Sequence, residues 1–318
     1  MHTREIKTDG LTQSVLEAGR GPLVILCHGF PELSVSWRAQ VEALAEAGYH
    51  AVAPDMRGYG RSEKVPAAHH TVLHLVSDMV DLVRALGEKT AVIVGHDFGS
   101  YVAWHCALLR PDVFTAVVGM SVPFQARNPA GPPLAMMKAL TDRLGTGDLY
   151  ISRFQDAEAL VEFTENVETA LRKCFWAYDG ATPEGQRSTG FIPDGKTLLE
   201  SISNRAELPP WLAERWFREY VRAFERGGFA RPFGWYRAID RNWQLTAFAQ
   251  GKTIDVPSLF IVGEVDPVRR YAGPAEAAQK DWLTDLRGQI ELKGAGHWIQ
   301  QERPDEVNAA LLGFLSGL

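Results

Sequence analysis

Apolar runs and segments of helical spacing alternate along the first part of the chain. Short continuous apolar runs are typical of strands buried on both faces, and they occur at residues 22–27, 50–55, 91–94 and 116–120. Stretches with helical spacing separate them at residues 37–47 and 71–87. Two strand-like pieces around Asp9 and Gly10 predict an amino-terminal hairpin that extends the edge of the sheet. Strands that alternate with helices predict a mostly parallel central sheet flanked by helices on both faces.

The alternation stops after Ser121. The segment that follows has few β-branched runs and many aromatic residues, and its helical stretches include residues 157–177 and 211–226. The first pattern then returns with two strand-like runs and a last helix, at residues 256–263, 289–292 and 304–314. We therefore predict one α/β core domain formed by residues 1–122 and 246–318, into which a helical cap domain of residues 123–245 is inserted.

Composition narrows the possible partners. The chain has 318 residues, 46% hydrophobic content and a formal net charge of −6, so it can bury a large core but offers no basic surface for nucleic acid or an anionic membrane. No apolar run reaches the ~20 residues that span a bilayer, and the start of the chain lacks an apolar signal segment, so we expect a cytoplasmic protein. Cys27, Cys106 and Cys174 are far apart and are expected to be buried free thiols.

The segment at residues 90–110 contains the most informative motif. A β-branched run turns through Gly95, His96, Asp97, Phe98 and Gly99 into a stretch of helical spacing. This order is typical of a nucleophile elbow, in which a tight turn presents one side chain at the carboxyl edge of a sheet. The glycines give the backbone room where a side chain would clash. The side chain at the apex is a carboxylate rather than a serine hydroxyl.

Two further polar residues follow strands of the predicted sheet. Asp266 lies in GEVDPV and His297 in GAGHW, so the chain order is Asp97, acid, histidine, which is the order of an α/β-hydrolase triad. Singly, an aspartate after a strand is more often a turn residue or a helix cap, and a lone histidine is usually structural. Their joint placement after successive strands favours a catalytic site.

An aspartate nucleophile restricts the chemistry. Attack by serine on a saturated carbon would leave an ether, which has no carbonyl for water to open. Attack by Asp97 would leave an ester, whose carbonyl can be hydrolysed while backbone N–H groups stabilise the oxyanion. The sequence therefore indicates displacement at an sp³ carbon, as in epoxides or alkyl halides, and disfavours an ordinary esterase or lipase.

Several ordered segments carry a family resemblance over nearly the whole chain. They are HGFPE (28–32), Trp37-Arg38, PDMRGYGRS (54–62), GHDFG (95–99), GWYR (234–237), Asp266 and GHWIQQERP (296–304). Together they resemble the epoxide hydrolase family of the α/β-hydrolase superfamily. The departures are Phe98, where many relatives carry tryptophan, and Ser100 in place of glycine, and both are expected to reshape the floor of the pocket.

The resemblance implies roles for further residues. Tyr150 in DLYISRFQD and Tyr236 in GWYRAIDRNW match the paired cap tyrosines of the family, and a phenol with a pKa near ~10 can donate a proton to an epoxide oxygen. The backbone N–H groups of Phe30 and Phe98 are implied as the oxyanion hole, and the Phe30-Pro31 bond is expected to be cis.

The remaining site candidates support the loop or the pocket. His28, Pro31 and Glu32 are predicted to brace the HGFP loop, which is a structural role. Four aromatic residues are candidate pocket walls, with ordinary core packing as the alternative, namely Trp37, Phe154, Trp235 and Trp298.

The sequence supports a cofactor-independent epoxide hydrolase that acts on a small-molecule epoxide and water. Haloalkane dehalogenases typically have Asn in the HGNP loop and Trp after the nucleophile, where this chain has Phe30 and Phe98. A dehalogenase on the same scaffold remains the nearest alternative, followed by a non-catalytic receptor that binds a small molecule.

No cofactor or metal is expected. Gly58 and Gly60 lack the third glycine of a dinucleotide-binding turn, and His69, His70 and His74 lack the spacing of zinc ligands.

Overall fold

The computed structural model describes residues 1–318 except the side chain of Ala67. Its strands are β1 (His2–Lys7), β2 (Thr12–Ala18), β3 (Leu23–Cys27), β4 (His50–Pro54), β5 (Ala91–His96), β6 (Phe114–Met120), β7 (Asp148–Leu149), β8 (Phe191–Ile192), β9 (Ser258–Gly263) and β10 (Leu286–Leu292). The described residues form an eight-stranded sheet in the order β1-β2-β4-β3-β5-β6-β9-β10. The pairs β1–β2 and β2–β4 are antiparallel, and all the others are parallel. The predicted hairpin at the edge of a mostly parallel sheet is confirmed.

The helices lie between and beyond the strands. They are α1 (Arg38–Glu46), α2 (Val72–Ala85), α3 (Phe98–Leu109), α4 (Pro133–Leu144), α5 (Tyr150–Arg153), α6 (Ala157–Glu165), α7 (Val167–Ala177), α8 (Leu198–Ser201), α9 (Glu214–Gly227), α10 (Ala230–Arg237), α11 (Ile239–Leu245), α12 (Arg269–Ala278), α13 (Ile299–Glu302) and α14 (Pro304–Leu315). Within the described residues, no helix has the length and apolar character needed to cross a membrane.

Successive residues of the central strands point to opposite faces of the sheet. Ile25 and Cys27 of β3 belong to one apolar cluster, whereas Val24 and Leu26 belong to a second. The first cluster includes the buried faces of α2 and α3, and the second includes those of α1 and α14. Helices therefore cover both faces, as the continuous apolar runs predict.

The segment between β6 and β9 is largely helical and contains α4 to α11. It also contains the small two-stranded antiparallel sheet β7–β8, which the sequence did not predict. The helix predicted at 157–177 is divided in two because Asn166 caps a new helix with its side chain, which accepts a hydrogen bond from the Thr169 N–H. The segment shares the first apolar cluster with the sheet, so it packs against the end of the sheet where the site residues lie.

The three cysteines are free and buried, as predicted. No disulfide bond between these cysteines stabilises the fold. Burial raises the pKa of the Cys174 thiol to about 12, so this thiol remains protonated at neutral pH.

Candidate active site

The turn between β5 and α3 holds Asp97 in an unusual backbone conformation. Asp97 has φ 54° and ψ −124°, a region that residues with a side chain rarely adopt. The flanking glycines are required for space, since a Cβ at Gly95 would lie 2.1 Å from the Gly99 carbonyl oxygen, and a Cβ at Gly99 would lie 2.1 Å from the Cys27 carbonyl oxygen. The turn therefore has the geometry of a nucleophile elbow.

The Asp97 carboxylate has a different environment at each oxygen. Oδ1 accepts a hydrogen bond from the Phe30 N–H at 2.8 Å, and Oδ2 lies 3.4 Å from Nε2 of His297. Burial alone raises the pKa of this carboxyl group, but the hydrogen bond and charge of His297, the charge of His96 and the Phe30 N–H together hold the pKa below its ordinary value. Asp97 is therefore ionised although it is buried.

His297 lies between two carboxylates. Its Nδ1 atom is 2.9 Å from Oδ2 and 3.1 Å from Oδ1 of Asp266. Burial lowers the pKa of His297, but the charge and hydrogen bonds of Asp266 and Asp97 outweigh burial and raise the pKa well above its ordinary value. The structure thus brings together the three residues that the sequence predicted as a triad, each beyond the carboxyl end of a parallel strand.

Two tyrosines face Asp97 from the helical segment. Tyr150 is the first residue of α5 and Tyr236 lies in α10, and their ring centroids are 6.0 Å apart at 70°. Burial, followed by the charge of Asp97, raises the pKa of both phenols well above the ordinary value. Both hydroxyl groups are therefore protonated at neutral pH and can act as hydrogen-bond donors.

One cavity connects these groups. Its lining consists of Phe30, Pro31, Asp97, Tyr150, Phe154, Cys174, Tyr178, Leu198, Ile202, Tyr236, Val268, His297 and Trp298. Two of the four aromatic residues predicted as pocket walls, Phe154 and Trp298, lie in this lining.

Two of the four aromatic residues predicted as pocket walls lie outside the cavity lining. Trp37 is fully buried in the second apolar cluster, and Trp235 is fully buried beneath Phe98 with ring centroids 5.0 Å apart. Phe98 packs on Trp235 and Tyr236, and the Ser100 hydroxyl donates to the Val122 carbonyl oxygen. Trp37 and Trp235 therefore lie in the core rather than in the cavity wall, and the sequence could not distinguish the two because a buried aromatic has the same local pattern in both.

The HGFP loop is fixed by buried polar contacts. The Phe30-Pro31 bond is cis, as expected. His28 accepts the Met56 N–H at its Nε2 atom at 2.9 Å. Glu32, fully buried, accepts hydrogen bonds from the side chains of Gln300 at 2.8 Å and Gln301 at 3.0 Å, and it contacts Nδ1 of His96 at 2.7 Å. These contacts join the loop to the elbow and to the residues that follow His297.

Glu302 holds the backbone around His297 and was not identified from the sequence. Its carboxylate accepts N–H groups from Gly296 at 2.8 Å, Trp298 at 2.9 Å and Gly180 at 3.0 Å. Burial and the nearby Asp179 carboxyl raise the pKa of Glu302 to about 7 against these three hydrogen bonds. The only sequence signal was its position inside the GHWIQQERP segment.

The cavity wall also includes residues for which the sequence gave no specific signal. They are Cys174, Tyr178, Leu198, Ile202 and Val268. Apart from Val268, they lie between β6 and β9, where the fold of the helical segment decides which side chains face the cavity. Within the described part of the chain, no three His, Cys, Asp or Glu side chains are grouped as ligands of one metal ion.

Comparison with known proteins gives the family. Residues 22–304 match the family model described as alpha/beta hydrolase fold. Epoxide hydrolase A of Mycobacterium tuberculosis is 41% identical over 99% of this chain and 97% of its own length. The structure of an epoxide hydrolase from an endophytic Streptomyces has a TM-score of 0.94 and 40% identity, covering 99% of this chain and 95% of that one.

A second solved structure agrees. Epoxide hydrolase A from Mycobacterium thermoresistibile has a TM-score of 0.91 and 37% identity, and the match covers 100% of this chain and 98% of that one. Both the sequence and the fold are therefore similar to these proteins over nearly their full length. The chain belongs to the α/β-hydrolase fold family and, within it, to the epoxide hydrolases.

Proposed function

We propose that this protein hydrolyses epoxides to vicinal diols through a covalent ester on Asp97. The observation that carries the proposal is one cavity lined by an ionised, buried carboxylate and by two protonated phenols. A carboxylate can attack the epoxide carbon while the phenols donate to the epoxide oxygen. The similar proteins are named epoxide hydrolases, which supports an epoxide as the substrate.

The first half of the reaction forms the ester. The Phe30 N–H holds Oδ1 of Asp97, so Oδ2 is the oxygen available for attack. Oδ2 bonds to the carbon, the carbon–oxygen bond of the epoxide breaks, and a phenol protonates the departing oxygen. An acid is needed because an alkoxide is too basic to leave unassisted.

The second half of the reaction hydrolyses the ester. Ester formation removes the charge of Asp97, which is one of the causes of the raised pKa of His297. The pKa of His297 therefore falls at the stage when a base is required. His297, oriented by Asp266, takes a proton from water, and the resulting hydroxide attacks the ester carbonyl.

Two backbone donors suit the oxyanion of this step. The Phe30 N–H already contacts Oδ1, the oxygen that becomes the ester carbonyl. Phe98 is the first residue of α3, and an N–H at the start of a helix has no intrahelical acceptor. We assign these two groups to the oxyanion hole.

The proposed roles divide between two parts of the chain. We propose residues 1–122 and 246–318 as the catalytic core, which supplies the triad, and residues 123–245 as the cap, which supplies Tyr150 and Tyr236. Since no Lys, Arg or Glu occurs among the described residues that line the cavity, we expect uncharged, apolar substituents next to the epoxide.

Oxygen labelling tests the proposal. In a single turnover of styrene oxide in ¹⁸O-water, the first diol should contain unlabelled oxygen, because the oxygen it gains comes from Asp97. Label that appears directly in the first diol would show attack by free water and overturn the ester mechanism. Parallel assays with 1-chlorobutane and 1-bromobutane should release no halide, and halide release without epoxide turnover would establish a dehalogenase instead.

A further inference from the structure

Tyr271 adds a third phenol to the pair that faces Asp97. It lies in α12, the helix that follows Asp266, and its hydroxyl group is 3.4 Å from the hydroxyl group of Tyr150. The two rings meet edge to face, with centroids 6.4 Å apart at 62°. Tyr271 lies outside every segment that carries the family resemblance, so this contact has no counterpart in the motifs.

The Tyr271 ring is held between the core and the helical segment. The guanidinium group of Arg269 joins the start of α12 to the sheet, because it donates a hydrogen bond to Glu291 of β10 at 2.7 Å. On the side of the helical segment, the ring lies against Gly190, where an added Cβ would be 3.1 Å from the ring. The Gly190 carbonyl oxygen also accepts the Tyr150 N–H at 2.9 Å. One short segment therefore positions both tyrosines.

We propose that Tyr271 is a positioning residue that donates a hydrogen bond to Tyr150 and thereby makes Tyr150, rather than Tyr236, the tyrosine that gives its proton to the epoxide oxygen. The inference rests on the proposed epoxide hydrolysis and specifies its acid. Tyr236 keeps its proton and serves as the second hydrogen-bond donor to the same oxygen.

The surroundings of the two tyrosines support this asymmetry. The Tyr236 ring is surrounded by the rings of Phe30, Phe98 and Phe154, with centroids 5.7, 5.2 and 4.9 Å away, and an apolar environment disfavours a phenolate. Burial raises the pKa of Tyr150 as well, but hydrogen bonds from Tyr271 and Tyr236 oppose that rise. A negative charge is therefore better stabilised on Tyr150.

The contact should strengthen as the reaction proceeds. A distance of 3.4 Å is long for two neutral hydroxyl groups, which usually approach to about 2.7–2.8 Å. Hydrogen bonds to an ionised acceptor are shorter and stronger. Negative charge that develops on the Tyr150 oxygen would draw the Tyr271 hydroxyl closer, so the stabilisation favours the transition state over the ground state.

The protons balance over one turnover. Tyr150 gives its proton to the epoxide oxygen as Asp97 forms the ester, and the Tyr150 phenolate accepts a hydrogen bond from Tyr271. Once the ester has formed and the pKa of His297 has fallen, His297 releases the proton that it holds in the free enzyme, and this proton restores Tyr150. His297 then takes a proton from water and returns it to the alkoxide that leaves the tetrahedral intermediate. Asp97 is left as a carboxylic acid, and its proton passes back to His297, whose Nε2 atom lies 3.4 Å from Oδ2. The net reaction is the addition of one water molecule to the epoxide.

Rapid-quench measurement of ester formation with styrene oxide tests the inference. We expect Tyr271→Phe to slow ester formation about tenfold, to leave ester hydrolysis unchanged, and to move the alkaline limb of the pH profile to higher pH. A purely structural role would not move that limb. Tyr59→Phe is the matched control, because it removes another buried hydroxyl group that has no hydrogen-bond partner among the described residues.

Two further backgrounds identify the residue through which Tyr271 acts. In a Tyr236→Phe protein, Tyr271→Phe should again slow ester formation about tenfold, whereas in a Tyr150→Phe protein it should cause no further slowing. Equal slowing in both backgrounds, or none in either, would overturn the inference while ester formation itself remained intact. If Tyr150→Phe reacts too slowly to measure, the pH profile of Tyr271→Phe decides. Absence of an ester in the wild type would instead overturn the proposed function.

Discussion

The Nε2 atom of His297 lies 3.4 Å from Oδ2 of Asp97, on the side of the ring opposite to Asp266. This spacing places the imidazole beside the carboxylate without removing Oδ2 from the cavity. Attack by Oδ2 therefore does not require His297, whereas the later activation of water does. The two halves of the proposed reaction can be separated by changing this one residue.

We expect His297→Gln to form the ester but to hydrolyse it at least about 10³-fold more slowly than the wild type. The variant should accumulate a stable adduct that adds one substrate mass to the protein, which intact-protein mass spectrometry can measure after mixing with styrene oxide. Asp97→Asn is the matched control and should show no adduct. Rapid steady turnover by His297→Gln would contradict the assigned base.

Loss of either tyrosine should weaken the first step. We expect Tyr150→Phe and Tyr236→Phe each to lower kcat/KM by about 10- to 100-fold, because each variant retains one donor to the epoxide oxygen. The double variant should lose activity by at least about 10³-fold. Circular dichroism would verify that the variants are folded. A double variant that retains more than a tenth of the wild-type activity would exclude these residues as the acids.

A methyl group at residue 29 should displace the nucleophile. A Cβ at Gly29 would lie 2.3 Å from Oδ1 of Asp97, closer than any contact allows. We expect Gly29→Ala to lower the rate of ester formation at least about 100-fold, since a shift of about 1 Å is enough for such a loss. Rapid-quench kinetics would measure this rate.

Gly313→Ala is the control for that change. Gly313 lies in α14, and an added Cβ would meet nothing within 4 Å. We expect unchanged activity and a stability gain of about 0.5–1 kcal/mol, because alanine is a better helix former than glycine. Urea denaturation would measure the gain. A stability loss in Gly313→Ala would show that the helix is less regular than described.

Glu302 should make stability depend on pH. Its pKa is raised from 4.5 to about 7, so between these pH values the folded protein retains a proton that the unfolded chain has released. Its contribution to stability is fully present below pH 4.5 and is lost as the pH rises through 7. At about 1.4 kcal/mol for each pKa unit, the loss over this range is about 3 kcal/mol, and Glu302→Gln should lack it.

Urea denaturation at pH 5.5 and pH 8 would measure this effect. The free energy of unfolding of the wild type minus that of Glu302→Gln should be lower at pH 8 than at pH 5.5, because only the wild type loses stability as the pH rises. If this value instead increased with pH, the three N–H donors would outweigh burial and the pKa of Glu302 would be lowered. Gly313→Ala again serves as a control, because its effect should not vary with pH.

The sequence predicted the features that depend on local pattern. Continuous apolar runs identified the strands, and the glycines around Asp97 identified the elbow because the backbone has space there only for glycine. The three triad residues could be grouped because each follows a parallel strand, and the ends of such strands meet at one edge. The aspartate itself indicated displacement through an ester.

Features that depend on long-range packing could not be read in the same way. The small sheet β7–β8 pairs Leu149 with Phe191 across a long connection, and two-residue strands have too few positions to show a period. Trp37 and Trp235 were misassigned because burial in a core and exposure to a cavity leave the same local pattern. The contact between Tyr150 and Tyr271 depends on how the helical segment packs on the core.

The positive φ of Asp97 bears on which residue types suit this position. A side chain held in this region of backbone space destabilises the folded state by about 1–3 kcal/mol, and glycine would adopt the same turn with less strain. Stability of the fold alone would therefore favour glycine at this position, but glycine has no side-chain oxygen that could attack a substrate. The proposed reaction needs a carboxylate at residue 97, so this reaction and the stability of the fold favour different residues at the same position.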